Sequence, residues 1–163
     1  DRVLLTCSYR EDKQMNIQMT AGEALQAFCR AWFVERDVEA AMAFIREDVD
    51  FVGTGIGESA RGRDEMLSYL RQDMLEIPEP FTLLLTEINE QVIAEHVRNL
   101  SAEVTLKNSV YTWHVRGFFT MVMEGEGWKL QSFHFVLHGT GHLVKALAQD
   151  FKLIPGVHLV RKA

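Results

Sequence analysis

The sequence contains little cysteine and no long apolar segment. Its two cysteines, Cys7 and Cys29, are too few for the disulfide framework that stabilises a small secreted domain. No apolar run approaches the roughly 20 residues that a transmembrane helix needs. The stretch Asp1–Tyr9 lacks the basic start and the apolar segment of a signal peptide. These absences predict a cytoplasmic chain without a membrane partner.

Positive charge is also scarce. The 17 lysines and arginines are outnumbered by 23 aspartates and glutamates, which gives a net charge of −6. Because no cluster of lysine and arginine could follow a phosphate backbone, the sequence argues against a nucleic-acid partner. With 47% hydrophobic and 25% charged residues, the 163-residue chain has the composition of one globular domain with a sizeable core.

The chain divides into a short arm and one domain. Residues 1–19 give an ambiguous pattern, and we predict an N-terminal arm or leader there, followed by a single domain over residues 20–163. The domain opens with Thr20-Ala21-Gly22-Glu23, which fits a helix capping box. Apolar residues continue at helical spacing from Leu25 to Phe33, and Asp37 can cap a second, shorter helix.

Further strands and helices follow. A short strand is predicted at 48–53, and a third helix begins near Arg63 and must stop before Pro78, because proline lacks the amide that a helix requires. Three more strands are predicted at 81–89, 92–97 and 100–107, and a last helix at about 142–151. A turn at Asn108-Ser109 would pair Leu106 with Tyr111.

The longest predicted element is a hairpin over Val110–His138, with its turn at Glu124–Gly127. Uninterrupted antiparallel pairing places Met123 opposite Trp128, Phe119 opposite Ser132, and Gly117 opposite His134. Because side chains alternate between the faces of a strand, one face becomes apolar and needs covering. The other face is mixed aromatic and polar, and it carries Arg116, Phe118, Thr120, Gln131, Phe133 and Phe135.

The mixed face predicts contact between two copies of the chain. Burying a phenylalanine side chain contributes about 1.5–3 kcal/mol, so three of them exposed together would be unfavourable. Mixed aromatic and polar composition is typical of a subunit interface. We therefore predict a two-fold homodimer through this outer sheet face.

With these elements in place, the chain resembles a SnoaL-like domain of the nuclear transport factor two-like superfamily. Three pieces carry the resemblance: the first helix followed by Asp37, the segment Asp48–Gly55 with Glu58 and Gly62 before a helix, and Gly127–Leu130 leading to His134. The resemblance implies an α+β fold in which N-terminal helices pack on a strongly curved antiparallel sheet. The sheet and helices would form a cone with an internal pocket.

The apolar face, the helices and the short strand at 48–53 supply the predicted ligand-binding residues. Such pockets are mostly apolar, with a few polar groups that orient the ligand. The predicted lining consists of Trp32, Phe51, Tyr69, Tyr111, Trp113, Phe119, Met121, Trp128, Ser132 and His134. His134 is the first candidate for a general base, because histidine titrates near neutral pH, and Tyr111 or Asp50 would assist it.

Three functions remain open at this stage. The favoured one is a small-molecule-binding domain that acts as a sensory or accessory module in a dimer. The first alternative is an isomerase, dehydratase or cyclase that needs no cofactor and uses His134 as its base. The second alternative is an assembly domain whose cone is filled by side chains. No cofactor is predicted, and the spacing of the six histidines predicts no metal site.

Overall fold

The computed structural model describes residues 18–137. The helix predicted at 142–151, and all but the last two residues of the predicted N-terminal arm, lie outside this range. Inside it, no helix has the length and apolar character needed to cross a membrane. The helices come early in the chain and the strands form one curved sheet, which confirms the predicted α+β fold.

The first two helices begin at the predicted caps. Helix α1 spans Ala21–Cys29, and Thr20 Oγ1 accepts a hydrogen bond from the Glu23 amide at 3.2 Å, while the Glu23 carboxylate accepts from the Thr20 amide at 2.8 Å. The chain continues as wider π-helical turns over Arg30–Glu35. Asp37 then caps helix α2, Val38–Met42, as predicted.

The third helix, α3, spans Arg63–Glu76 and ends before Pro78, as the sequence predicted. Met66 and Leu70 are its fully buried residues. At its start, the Arg63 guanidinium donates to the carbonyl oxygens of Met42 at 2.9 Å and Ile45 at 2.6 Å. These bonds fix the N-terminal end of α3 beside α2 and the first strand.

Six strands form the sheet: β1 (Ile45–Val52), β2 (Ser59–Arg61), β3 (Thr82–Ala94), β4 (Val97–Lys107), β5 (Thr112–Glu124) and β6 (Gly127–Leu137). Their spatial order is β2-β1-β6-β5-β4-β3. Strands β1 and β6 run parallel, and the other neighbouring pairs are antiparallel. The sheet predicted as antiparallel therefore contains one parallel pair.

Two predictions about β3 and β4 need correction. The strands predicted at 81–89 and 92–97 are one strand, β3, whose register shifts between Thr86 and Asn89. Leu106 lies opposite Trp113 rather than Tyr111, because the turn is two residues longer than predicted. An even shift keeps every side chain on its predicted face, so this error leaves the apolar surface unchanged.

The β5–β6 hairpin contains a β-bulge that the sequence reading missed. Met123 pairs with Trp128 and Met121 with Leu130 as predicted, but Thr120 then pairs with Ser132, which leaves Gln131 as an extra residue in β6. An extra residue moves all following side chains to the opposite face. The predicted pairs of Phe119 with Ser132 and of Gly117 with His134 are therefore wrong.

The bulge brings two phenylalanines of β6 into the core. Phe133 lies opposite Phe119 and Phe135 opposite Gly117, and both phenylalanines of β6 are buried. The Phe133 ring centroid lies 4.7 Å from that of Phe51 on β1. Gly117 leaves room for this packing, since a Cβ there would overlap the ring of Phe119. Burial of the two rings is the physical reason that the bulged register is preferred.

Candidate functional site

A cavity of about 550 Å³ opens between the helices and the concave face of the sheet. The π-helical turns and α3 form one side, and β1, β4, β5 and β6 form the other. The loop over residues 53–58 borders the opening. The cavity is the candidate for the internal pocket that the sequence predicted.

Aromatic rings cover much of the cavity wall. On the helical side, the Trp32 and Tyr69 rings meet edge to face, with their centroids 6.1 Å apart. The Phe51 ring lies 4.8 Å from that of Tyr69. On the sheet side, Tyr111 and Trp113 are stacked with their centroids 5.0 Å apart. A flat apolar ligand could contact rings on both sides.

One face of α3 supplies the polar part of the wall. Tyr69, Gln72, Asp73 and Glu76 all line the cavity. Gln72, Asp73 and Glu76 follow Tyr69 by three, four and seven residues, so all four lie on the same side of the helix. The buried residues Met66 and Leu70 occupy the neighbouring side.

Asp73 is held in place by two donors. Its Oδ2 accepts hydrogen bonds from Trp32 Nε1 at 2.9 Å and from Arg36 Nη2 at 3.1 Å. The Arg36 guanidinium also donates to the carbonyl oxygens of Trp32, at 3.1 Å, and Ile77, at 2.6 Å. These contacts tie the π-helical turns to the end of α3. They also fix the orientation of the Trp32 ring at the cavity wall.

The Tyr69 hydroxyl remains a proton donor at neutral pH. Burial of the side chain is the largest influence that raises its pKa, and the nearby carboxylates of Glu58, Asp73 and Glu76 raise it further. Both influences disfavour the charged phenolate. The hydroxyl can therefore donate a hydrogen bond to a ligand in the cavity.

The loop over residues 53–58 is folded around the carboxylate of Glu58. Glu58 Oε2 accepts from the amides of Thr54 at 2.9 Å and Gly55 at 2.8 Å. The Gly53 amide donates to the Glu58 carbonyl oxygen at 2.6 Å. A Cβ on Gly53 or Gly55 would lie 2.5 Å or 2.9 Å from the Glu58 side chain. The glycines therefore allow the loop to close on Glu58 beside the cavity.

The structure brings half of the predicted lining together in the cavity. The members that line it are Trp32, Phe51, Tyr69, Tyr111 and Trp113. Phe119 and Met121 are fully buried deeper in the core and do not line it. Trp128 lies at the opposite end of β5 and β6, where the Arg98 guanidinium sits 5.0 Å from its ring centroid.

The predicted catalytic residues are not assembled at one place. Beyond the bulge, Ser132 and His134 lie on the outer face of the sheet with Thr120 and Phe118, so their predicted inward orientation is wrong. His134 Nε2 lies 3.9 Å from Asp50 Oδ2, and these side chains are 50% and 51% exposed. Tyr111 lines the cavity instead.

The predicted interface residues are divided by the same bulge. Arg116, Phe118 and Thr120 lie on the outer face. Phe133 and Phe135 were predicted there, and this placement is wrong because both are buried in the core. Gln131 is the bulged residue, and its Nε2 donates to the Asp48 carbonyl oxygen at 3.1 Å.

Sequence reasoning missed several lining residues. Gln72, Asp73 and Glu76 share a face with Tyr69, and their helical spacing was the signal that could have found them. Phe135 was missed because the bulge had no clear sequence signature. Within residues 18–137, no group of three or more metal-binding side chains is found.

The chain is similar to known families and folds. The sequence profile of the SnoaL-like domain family matches residues 22–137, more than half of the chain. No curated protein sequence matches the chain.

Solved structures share the fold at low sequence identity. A nuclear transport factor two-like protein of unknown function from Pseudomonas putida is 13% identical, with a TM-score of 0.63 over 73% of this chain and 88% of its own. A proposed scytalone dehydratase from Novosphingobium aromaticivorans is 14% identical, with a TM-score of 0.63 over 72% of this chain and 81% of its own.

A proposed calcium/calmodulin-dependent protein kinase type II association domain from Thiobacillus denitrificans is also similar. It is 18% identical, with a TM-score of 0.64 over 74% of this chain and 96% of its own. At such low identity these likenesses establish the fold alone. Together with the family match, they place the chain: it belongs to the SnoaL-like domain family.

Proposed function

We propose that the chain is a small-molecule-binding domain, and that the cavity between α3 and the concave sheet face holds the ligand. The observation that carries this proposal is the cavity itself, about 550 Å³ in volume, with aromatic rings on both sides. Pockets for organic ligands usually measure about 300–1,000 Å³ and combine apolar walls with a few polar groups. An open cavity of this size favours ligand binding over a filled assembly cone.

The geometry does not support catalysis by the predicted residues. General acid–base catalysis needs its groups within hydrogen-bond reach of one substrate. His134 and Asp50 lie on the outer face of the sheet, whereas Tyr111 lines the cavity. We therefore propose a sensory or accessory module, with the cytoplasmic location predicted from the sequence.

The proposal can be tested with two tryptophan substitutions at exposed leucines. Leu137 lines the cavity, whereas Leu75 lies on α3 and does not line it, and they are 45% and 77% exposed. Leu137→Trp adds an indole where the ligand would lie, whereas Leu75→Trp adds the same group outside the cavity. We expect the uncharged dye Nile red to bind the unchanged chain, with its affinity weakened at least tenfold by Leu137→Trp alone.

Fluorescence titration measures these affinities, and circular dichroism checks that both variants fold. Equal affinities for the two variants, or an effect confined to Leu75→Trp, would contradict ligand binding in the cavity. Absence of Nile red binding to the unchanged chain would also count against the proposal.

We further propose that the outer sheet face forms the predicted homodimer. Phe118, His134 and Val52 lie side by side on β5, β6 and β1, and Val136 lies next along β6. We call these four residues the outer patch, and all are exposed. The Arg116–Glu103 ion pair borders it. Apolar residues with a charged rim are the composition expected of a subunit interface.

A further inference from the structure

The charges at the cavity all have one sign. Glu58, Asp73 and Glu76 line it, and no lysine or arginine among residues 18–137 does so. Asp73 is paired with Arg36, so that charge is compensated. Neither Glu58 nor Glu76 forms an ion pair with any residue that the structure describes. Two uncompensated negative charges therefore border the cavity.

The two carboxylates stand at different parts of the cavity border. Glu58 is fixed by the amides of the loop over residues 53–58. Glu76 is the last residue of α3, and its Oε1 accepts from Gln72 Nε2 at 2.6 Å. The Arg36 guanidinium caps carbonyl groups at this end of α3, so the negative charge there comes from the Glu76 carboxylate itself.

The aromatic wall favours the same kind of ligand. The face of an aromatic ring attracts cations, most strongly for tryptophan, and the attraction grows when the cation loses its water. Trp32, Tyr69 and Trp113 all line the cavity. A cation there would lie close to these aromatic rings and to the carboxylates. An anion would meet repulsion from both.

We propose that the cavity selects an organic cation, a ligand with an ammonium group on an apolar body. This inference rests on the proposed function, since it names the class of ligand that the same cavity binds. The aromatic and apolar wall holds the body, and Glu58 and Glu76 select the charge. The cavity should bind such a cation more tightly than a neutral hydrocarbon of the same shape or an aromatic carboxylate.

The state of Tyr69 agrees with a negative potential in the cavity. Apart from burial, the influences that raise the pKa of its hydroxyl are the carboxylates of Glu58, Asp73 and Glu76. These carboxylates disfavour a negative charge at the Tyr69 hydroxyl, in addition to the larger effect of burial. The same carboxylates would attract a bound cation.

The test compares ligands that differ in charge and little in shape. The probes are benzyltrimethylammonium, its uncharged carbon isostere neopentylbenzene, and phenylacetate as the aromatic anion. Each is titrated against Nile red bound to the chain, and displacement gives its affinity. We expect the cation to bind at least tenfold more tightly than its neutral isostere, and phenylacetate to bind most weakly.

A charge-removing variant locates the source of the preference. The double variant Glu58→Gln with Glu76→Gln keeps the side-chain shapes, and we expect the cation-to-neutral affinity ratio to fall at least fivefold. Glu95→Gln is the control, because it removes a charge in the β3–β4 turn, away from the cavity. Its ratio should equal that of the unchanged chain. Glu76→Gln alone, at an exposed helix end, provides a second variant if the double variant fails to fold.

The outcomes separate the two proposals. If Nile red binds and the cation and its isostere bind equally, the inferred cation preference is wrong and ligand binding stands. A preference that the glutamine variants leave intact would also overturn the assignment to Glu58 and Glu76. If Nile red does not bind in the cavity at all, the proposed function fails and the cation preference fails with it.

Discussion

Cys29 lies fully buried on α1, and its burial raises the pKa of the thiol from 9.0 to about 12. The unfolded chain can therefore lose this proton at a lower pH than the folded chain can. The neutral thiol makes its full contribution to the stability of the folded chain at pH values below 9.0. This contribution decreases as the pH rises from 9.0 toward the pKa of the thiol in the folded chain, about 12. The free energy of unfolding should fall across this alkaline range.

We expect this effect to be visible in a matched pair of variants. Cys7→Ser removes the other thiol, and Cys29→Ala in that background removes the titrating group. Urea unfolding should show that the stability advantage of Cys29 over alanine shrinks by about 1.4 kcal/mol between neutral pH and about pH 10. Parallel stability curves for the two variants would contradict the burial of the thiol in a site that excludes its charge.

Single residues also show what a sequence can predict. The caps at Thr20 and Asp37 were predictable because their partners lie three residues away in the sequence. The contact between Arg36 and Asp73 joins residues 37 positions apart, so no local pattern announces it. Tyr69 was predicted to line the pocket, but Asp73 and Glu76 on the same side of α3 were not.

At the scale of strands, the bulge at Gln131 decides which β6 residues reach the core. Deletion of Gln131 should be tolerated, because it would restore regular pairing between β5 and β6 while Phe133 still faces the core. Deletion of Thr120, which lies across the ladder, has the opposite effect. It would turn Phe119 and the β5 residues before it toward the outer face.

We expect the two deletions to differ sharply in stability. Loss of Gln131 removes its hydrogen bond to Asp48, worth about 1 kcal/mol, and the local bend. Loss of Thr120 exposes several apolar side chains at about 1.5–3 kcal/mol each, which exceeds the stability of most domains of this size. Thermal unfolding by circular dichroism should show a folded Gln131 deletion and an unfolded Thr120 deletion. Similar stability for the two chains would refute the bulged register.

The faces of β4 and the first part of β5 followed from alternation alone, even though the turn length was misjudged. An error of two residues in the strand register leaves every side chain on its predicted face, whereas an error of one residue moves every side chain to the opposite face. The bulge produces such an error, and its cause is the long-range packing of Phe133 and Phe135 on Trp32 and Phe51. A strand read by itself does not contain this information.

At the scale of the molecule, we expect a dimer that depends on the outer patch. Phe118→Asp replaces the largest apolar side chain of the patch with a charge and should convert the dimer to a species of 18.7 kDa. Leu75→Asp is the matched control, because Leu75 is an exposed apolar residue on α3, away from the outer face. Analytical ultracentrifugation measures both. A monomer before substitution, or dissociation by the Leu75 variant alone, would disprove this interface.

The order of elements made the architecture predictable from the sequence. Helices with clear caps followed by long alternating strands leave few ways to cover one apolar sheet face. The charge at the cavity was not predicted, because Tyr69 was assigned to the pocket without the residues that share its side of α3.

The central position of β6 has a consequence for the growing chain on the ribosome. Strand β6 lies between β1 and β5, so the last described strand completes a sheet begun by one of the first. Until Leu137 has emerged from the exit tunnel, β1 has no partner on that side, and the rings of Trp32 and Phe51 lack the cover of Phe133. Chaperones that recognise apolar segments should therefore engage nascent chains that end before β6 and release them once it is added.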